Sequence, residues 1–251
     1  MPSTTIGEVT GELEDQGTLT RTSAQSLASE PRTVKLADIS RISDEPVFSC
    51  FLIDESGSMA PYSREVIDGQ SEMVEILRKS NKCKKGALFV VQYLFSNKVK
   101  TLNEFRALSP SGGDGVVLLK SGNYYNPDNS TALYHSLFHL LQDIAANYAH
   151  AYSNGVISSF TIGVITDGED TDGGVQPSEI KKIIQELQAQ GILRSSVIVG
   201  LTNPDFTKSM LDDLKTRLGF QEAISLSQND PREIRRAFVL ASQSAVSGQL
   251  K

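Results

Sequence analysis

The chain lacks three features that would decide its class at once: a membrane span, a secretion signal and a disulfide framework. No apolar run in its 251 residues reaches the ~18 residues needed to cross a bilayer, so no membrane association is expected. The segment Met1–Gly7 has neither a basic start nor an apolar core, and we do not expect it to be a signal peptide. Two cysteines, Cys50 and Cys83, are too few for a disulfide scaffold, which favours a reducing, cytoplasmic environment.

The chain also lacks the excess of positive charge that is typical of nucleic-acid-binding proteins. It contains 24 lysines and arginines against 30 aspartates and glutamates, a net charge of −6. Because a basic surface is what attracts a phosphate backbone, no nucleic-acid partner is expected. The length and composition are those of a soluble globular protein with one domain or two small ones.

The N-terminal part of the chain is poor in the large side chains that build a core. Its first aromatic residue is Phe48, and residues 1–46 contain eight acidic and four basic side chains. Such a composition buries too little apolar surface to offset the entropy of ordering the chain. We therefore predict a flexible tail over residues 1–42 and one folded domain over residues 43–251. The short apolar piece Val34–Ile39 could dock on the domain or on a partner.

Strand and helix patterns alternate from Val47 onward. Nearly unbroken apolar runs predict strands in a sheet that is covered on both faces. These runs are Val47–Ile53, Ala87–Phe95, Ser159–Ile165 and Ser196–Leu201. The alternation predicts an α/β fold with a doubly wound, mostly parallel sheet flanked by helices. Either Val99–Phe105 or Val116–Lys120 could add one antiparallel edge strand.

Helical periodicity fills the segments between these strands. Apolar residues recur at i, i+3, i+4 and i+7, and proline or glycine stands near the expected ends. The predicted helices are a long central one over Leu133–Tyr148, one with Pro177 near its start and Gly191 just past its end, one with Asn203 as N-cap that stops at Gly219, and a last one opened by Asp230 and Pro231.

The most informative motif is Asp54-x-Ser56-x-Ser58, which directly follows the first predicted core strand. In doubly wound sheets, ligands bind beyond the carboxyl ends of strands, where the winding reverses. One carboxylate and two hydroxyls are hard oxygen ligands that suit magnesium or manganese rather than zinc or copper. Thr131, at the entry to the long helix, and Asp167, after another strand, could complete the set. By itself the motif is also compatible with an ordinary turn.

An Asp-x-Ser-x-Ser motif, a distant threonine and a more distant aspartate, in this order, resemble the metal-ion-dependent adhesion site of von Willebrand factor type A (VWA) domains. Integrin inserted domains share this family. The resemblance runs from about Val47 to about Ala245, and all five ligand positions are filled. One departure is that Asn129 and Ser130 stand where many relatives have two glycines.

The resemblance implies a VWA domain of the intracellular type that binds Mg²⁺ or Mn²⁺. Ser56 and Ser58 would bind the ion directly, and Thr131 directly or through water. Asp54 and Asp167 would bind it largely through water. The family can also shift its last helix when the metal site is occupied.

With few direct carboxylates, the ion would stay electrophilic and could accept a carboxylate from another protein. Two acids and three hydroxyls also underfill the charge requirement of a dication. We therefore expect a metal-dependent protein-binding module, an adaptor or scaffold, whose partner presents an aspartate or glutamate. Intracellular relatives often work beside ring-shaped ATPases or in stress-response and defence gene clusters, so the resemblance also implies a partner of that kind.

The second class of function is an enzyme, a metal-dependent hydrolase of phosphatase type that uses the same oxygen cluster. A haloacid dehalogenase phosphatase would need a second aspartate at the position of Ser56, and no Walker A sequence is present. His135, one turn after Thr131, is the one candidate for a general base.

Two further pairs of side chains have alternative interpretations. His135 and His139, four residues apart on one predicted helix, could bind a metal or fill structural positions. Asp170 and Asp172 could extend the rim of the metal site or belong to a solvated acidic loop.

Overall fold

The computed structural model describes residues 3–39, 45–119, 124–227 and 230–247. Within these ranges the chain forms eight strands, eight α-helices and a 3-10 helix at Gly57–Tyr62. The strands are β1 (Ser3–Thr5), β2 (Thr33–Lys35), β3 (Val47–Asp54), β4 (Leu88–Phe95), β5 (Val99–Ala107), β6 (Ser159–Thr166), β7 (Leu193–Thr202) and β8 (Glu222–Ser227). The helices are α1 (Ile6–Asp15), α2 (Arg21–Ala28), α3 (Ser63–Lys79), α4 (Asn81–Lys84), α5 (Leu133–Ser153), α6 (Pro177–Ala189), α7 (Lys208–Leu218) and α8 (Pro231–Ser247).

The main sheet has six strands in the order β5-β4-β3-β6-β7-β8. All neighbouring strands are parallel except β4 and β5. This confirms the predicted doubly wound α/β fold and assigns the antiparallel edge strand to the segment that begins at Val99. The other candidate, from Val116, is a loop as far as Leu119, and Lys120 lies outside the described residues.

Helices cover both faces of the sheet and create two apolar cores. Alternate residues of β3 point to opposite cores, with Phe48 and Cys50 on one face and Phe51 and Ile53 on the other. Phe48 stacks between Phe89 and Phe160 with ring centroids 4.8 and 4.7 Å away. Burial of one such side chain contributes about 1.5–3 kcal/mol. Since both faces are covered, the strand sequence is apolar throughout rather than alternating.

The structure corrects the prediction of a flexible tail for residues 3–39. β1 and β2 pair, and α1 and α2 pack against α5. The side chains of Ile6, Leu13, Leu27 and Val34 are 0% exposed. Average composition concealed this packing, because a few aliphatic residues at helical spacing give an apolar face even where most residues are polar. The predicted boundary at residue 42 lies outside the described residues.

Two details of the predicted helices differ from the structure. α7 begins after Thr207, whose side chain accepts a hydrogen bond from the backbone of Met210, so Asn203 is not its N-cap. Asn203 instead closes a turn, since its side-chain oxygen accepts from the backbone nitrogens of Asp205 and Phe206. Beyond the N-terminal segment, α3, α4 and β8 are absent from the predicted elements. The last helix begins at Pro231, as predicted.

The two cysteines lie on opposite faces of the sheet. Cys50 belongs to the core beneath α5, and Cys83 to the core beneath α3, and both are free and buried. They therefore act as small apolar core residues. None of the helices in the described parts of the chain is both long and apolar enough to span a bilayer.

Candidate metal centre

The predicted ligands gather where the winding of the sheet reverses. β3 lies between β4 and β6, so the chain winds in opposite directions on its two sides. β3 ends at Asp54 and β6 ends at Thr166, which places Asp54 and Asp167 on the same edge of two adjacent parallel strands. This is the location at which doubly wound sheets bind ligands.

A chain of hydrogen bonds joins four of the five predicted ligands. The backbone nitrogen of Ser56 donates to Oδ1 of Asp54 at 2.8 Å. The hydroxyls of Ser56 and Ser58 lie 3.1 Å apart, and Ser58 donates to Oδ1 of Asp167 at 2.8 Å. Asp54, Ser56 and Asp167 are buried. The sequence motif therefore forms a compact cluster of oxygen atoms, and its Asp54–Ser56 bond is also one that an ordinary turn would contain.

Thr131 is held beside this cluster through its backbone. Its nitrogen donates to the hydroxyl of Thr171 at 2.9 Å, and its carbonyl accepts from the nitrogen of Thr171 at 2.8 Å. The preceding Asn129 has φ +65°, a left-handed conformation that asparagine tolerates better than most residues. The carbonyl of Asn129 accepts from the nitrogen of Gly57 at 3.1 Å, which ties the Thr131 loop to the serine loop.

Two residues that support Asp54 were not predicted from the sequence. The hydroxyl of Thr166 donates to Oδ2 of Asp54 at 2.6 Å. The hydroxyl of Tyr125 donates to the backbone carbonyl of Asp54 at 2.7 Å. Thr166 directly precedes Asp167 in sequence, so its role could have been inferred from the motif. Tyr125 carries no sequence signal, because only the long connection between β5 and α5 brings it to this edge.

The environment of Asp54 is costly for an ionised carboxylate. Burial and the nearby charge of Asp167 raise the pKa of Asp54, hydrogen bonds from Ser56 and Thr166 oppose the rise, and the net pKa is about 6. The donors to its carboxylate are a backbone N–H and a hydroxyl, which are neutral. A dication beside these two acids would lower this cost. The donor set of carboxylate and hydroxyl oxygens therefore fits Mg²⁺ or Mn²⁺.

The histidine pair fills structural positions. His139 is half-buried, its ring meets that of Tyr93 edge-on with centroids 5.6 Å apart, and burial lowers its pKa to about 3. His135 is half-exposed, and its Nδ1 lies 3.6 Å from the carboxylate of Glu30. Across the residues that the structure describes, no three or more His, Cys, Asp or Glu side chains converge as metal ligands. A metal centre within the described residues, such as the one proposed around Asp54, must therefore use hydroxyl groups as ligands in addition to carboxylates.

Asp170 and Asp172 both bind the loop that carries Thr131. Oδ1 of Asp170 accepts from the backbone nitrogen of Tyr134 at 2.9 Å, and Oδ1 of Asp172 accepts from the hydroxyl of Ser130 at 2.6 Å. They are thus not a purely solvated loop, because each carboxylate binds the segment that carries Thr131.

An open, polar groove of about 510 Å³ adjoins the cluster. It lies between the β4–β5 turn and the loop that precedes Thr131. Glu55, Lys98, Lys100 and Asn126 are among the residues that line it. Lys100 lies 3.4 Å from the carboxylate of Glu55, which also accepts from the backbone of Asn126 at 2.6 Å.

Comparison with known proteins shows the fold only. No family model and no curated protein matches the chain. Proximal thread matrix protein 1 from the mussel byssus aligns at 15% identity over 82% of this chain and 49% of its own, with a TM-score of 0.55. The PilB minor pilin from Streptococcus sanguinis aligns at 13% identity over 83% and 63%, with a TM-score of 0.54. At such low identity, these alignments support a shared fold and nothing more.

A von Willebrand factor type A protein from Catenulispora acidiphila also aligns, at 16% identity over 82% of this chain and 43% of its own, with a TM-score of 0.46. That lower TM-score adds nothing to the fold assignment. The chain spans 43–63% of the length of these three proteins.

Proposed function

We propose that this chain is a VWA-type protein-binding module that depends on a divalent cation. The proposed ligands of Mg²⁺ or Mn²⁺ are Asp54, Ser56, Ser58, Thr131 and Asp167. The observation that carries the proposal is the hydrogen-bonded cluster of Asp54, Ser56, Ser58 and Asp167 at the point where the sheet reverses its winding.

The chemistry of the cluster supports a partner that supplies a carboxylate. The three proposed hydroxyl ligands, those of Ser56, Ser58 and Thr131, are neutral, so a bound dication would keep an electrophilic coordination position for an anionic oxygen. A glutamate or aspartate of the partner could fill that position. The adjoining groove offers space for the neighbouring residues of the partner, with exposed Lys98 and Lys100 on its rim.

The alternative, a phosphatase-like hydrolase, receives less support from the contacts of His135. A general base must reach the nucleophilic water or hydroxyl that it deprotonates. His135 instead lies beside Glu30 of the N-terminal segment, whereas the hydrogen-bonded cluster is formed by Asp54, Ser56, Ser58 and Asp167. We therefore favour binding over hydrolysis.

The first test measures Mg²⁺ binding by calorimetry and thermal unfolding. A ligand that binds only the folded state stabilises it by about 2.7 kcal/mol at 100 times its dissociation constant. We expect the wild type to gain stability in this way and the Asp54→Ala variant to lose the gain while remaining folded. Asp205→Ala, which removes an exposed acid after β7, is the matched control and should respond like the wild type. Equal binding by wild type and Asp54→Ala would contradict the proposal.

The second test captures partners with the purified chain in magnesium, in excess chelator and in high salt. Chelator should abolish the complex, whereas salt alone should weaken it less, because a metal–carboxylate bond is not a screened surface pair. Thr131→Ala should reduce binding more than it reduces stability. A complex that persists unchanged in chelator would place the interface elsewhere on the domain.

A further inference from the structure

The helix that follows Thr131 does not cap its own N-terminus. Ala132 occupies the N-cap position of α5, and no side-chain cap is formed there. The first turn of a helix leaves backbone N–H groups without intrahelical partners, and a short polar side chain commonly accepts from one of them. In this chain the acceptor comes from a different loop, because Oδ1 of Asp170 lies 2.9 Å from the nitrogen of Tyr134.

Both carboxylate oxygens of Asp170 are committed to backbone groups. While Oδ1 binds Tyr134, Oδ2 accepts from the nitrogen of Gly173 at 2.8 Å and closes its own loop. A negative charge at the N-terminus of α5 is also favoured by the helix dipole. Asp170 thus joins the start of the long central helix to the loop that follows Asp167.

Further hydrogen bonds run between the same two loops. The backbone of Thr131 donates to the hydroxyl of Thr171 and accepts from its backbone nitrogen, as described above, and Ser130 donates to Asp172. None of these bonds uses the side chain of Thr131 or of Asp167. These bonds therefore fix the backbones of the two proposed ligands relative to each other without occupying the ligands' side chains.

Arg217 of α7 adds a connection from outside the two loops. Its Nη1 donates to the hydroxyl of Tyr134 at 2.7 Å, and its Nη2 forms an ion pair with Glu169. Its Nε binds Asp213 on the same helix at 2.6 Å, which orients the planar guanidinium group. One side chain thus contacts the first turn of α5 and the loop that carries Asp167.

We propose, building on the proposed metal centre, that Asp170 and Arg217 are positioning residues that fix Thr131 relative to Asp167. Thr131 lies three residues before Tyr134, and Asp167 lies three residues before Asp170. A displacement of the Asp170–Tyr134 contact therefore moves the two ligands apart. Residues that orient ligands without touching the ion commonly change metal affinity by about 10- to 100-fold when they are replaced.

The test compares Asp170→Ala, Asp170→Asn and the control Asp205→Ala in the full chain, with two readouts. Amide hydrogen exchange in chelator reports the start of α5, and calorimetry reports Mg²⁺ affinity. Asp170→Ala should accelerate exchange at residues 131–136 about fivefold, the loss expected for a helix cap. It should also weaken Mg²⁺ binding about tenfold. Asp170→Asn should lose less of both properties than Asp170→Ala, because the amide oxygen can still accept from Tyr134 as a helix cap, although the bond from Gly173 is lost. Asp205→Ala should change neither.

Arg217 is tested in the same way. Arg217→Ala and Arg217→Lys should both weaken Mg²⁺ binding, because a single ammonium cannot contact Tyr134, Glu169 and Asp213 together. If Arg217→Lys keeps wild-type affinity, charge rather than geometry is what matters, and the positioning role of Arg217 is wrong.

Three further outcomes would overturn the inference. Unchanged exchange in Asp170→Ala would mean that the contact does not hold the helix. Lost protection with unchanged affinity would mean that the helix start does not position Thr131. Equal loss of affinity in Asp170→Ala and Asp170→Asn, with protection kept in the latter, would mean that Asp170 acts on the ion through its charge. If the wild type bound no Mg²⁺, the proposed function would fail, and the exchange data in chelator would still decide whether Asp170 holds the two loops together.

Discussion

Two carboxylates, Asp54 and Asp143, are fully buried in this protein and differ in what surrounds them. Burial raises the pKa of each to about 6. Asp143 lies in the middle of α5, and its Oδ1 is 2.7 Å from Nη2 of Arg32, an ion pair rather than a well-aligned hydrogen bond. The hydroxyl of Tyr93 donates to its other oxygen. Asp143 therefore has a counter-charge supplied by the chain itself.

Asp54 is surrounded by neutral donors and by a second acid. Its carboxylate accepts from the backbone of Ser56 and the hydroxyl of Thr166, and the charge of Asp167 opposes its ionisation. It also lies at the carboxyl end of the central strand β3, next to an open groove. The comparison indicates that a buried acid with an internal cation serves the fold, whereas one with neutral donors at an open edge is suited to an external cation.

The counter-charge of Asp143 explains why the N-terminal segment packs as it does. Arg32 also donates to the backbone carbonyl of His139 at 2.9 Å. Gln142 donates to the carbonyls of Leu27 and Glu30, both at 2.8 Å. Polar side chains on the outer face of α5 thus bind backbone carbonyls of the segment, and these bonds offset the desolvation of the polar groups that the contact buries.

Arg32→Ala is expected to have the largest effect, because it breaks the internal ion pair and leaves Asp143 buried without a cation. Loss of one partner of a buried pair typically costs about 3–5 kcal/mol. Chemical denaturation at pH 7.5 measures this loss. Arg21→Ala, an exposed arginine of the same segment, should change the free energy of unfolding by less than about 0.5 kcal/mol. A small effect of Arg32→Ala would mean that Asp143 is accommodated without its counter-charge.

The pH dependence of Asp143 should be the next largest effect. Its pKa is raised from 3.8 to about 6 in the folded state, so its contribution to stability is greatest below pH 4 and declines as the pH rises through 6. The difference in unfolding free energy between wild type and Asp143→Asn should therefore fall by about 3 kcal/mol between pH 4 and pH 7.5. Taking the difference cancels the other titrating groups. A difference that rises with pH would show that Arg32 prevails over burial.

Asp54→Asn should give the smallest change, with the opposite sign to Arg32→Ala. In chelator at pH 8, removal of a buried charge without a cationic partner relieves desolvation, while the amide loses one of the two acceptor positions that Ser56 and Thr166 use. We expect a net gain of about 1 kcal/mol in chelator. In magnesium the wild type should become the more stable of the two proteins, since only the wild type would bind the ion. If Asp54→Asn destabilises the metal-free protein, Asp54 is a structural acid like Asp143.

The sequence predicted strands and helices correctly where their apolar residues follow a regular pattern and are also buried in the structure. The apolar runs of β3, β4 and β6 and the stripe of α6 were predicted because both cores demand such residues. The N-cap of α7 was misplaced by four residues, since both Asn203 and Thr207 have suitable side chains and only the turn geometry distinguishes them. β8 was missed because it is short and only partly buried.

The sequence by itself determined the alternation of strands and helices after Val47, the doubly wound sheet and the five oxygen-bearing side chains at predicted element ends. These follow from hydrophobic periodicity and from the position of each motif after an apolar run. Only the tertiary structure decided that residues 3–39 are packed, that Arg32 neutralises Asp143, and that Asp170 caps a helix from another loop. Each of these contacts joins residues far apart in the chain, and short-range pattern carries no information about which distant groups will meet.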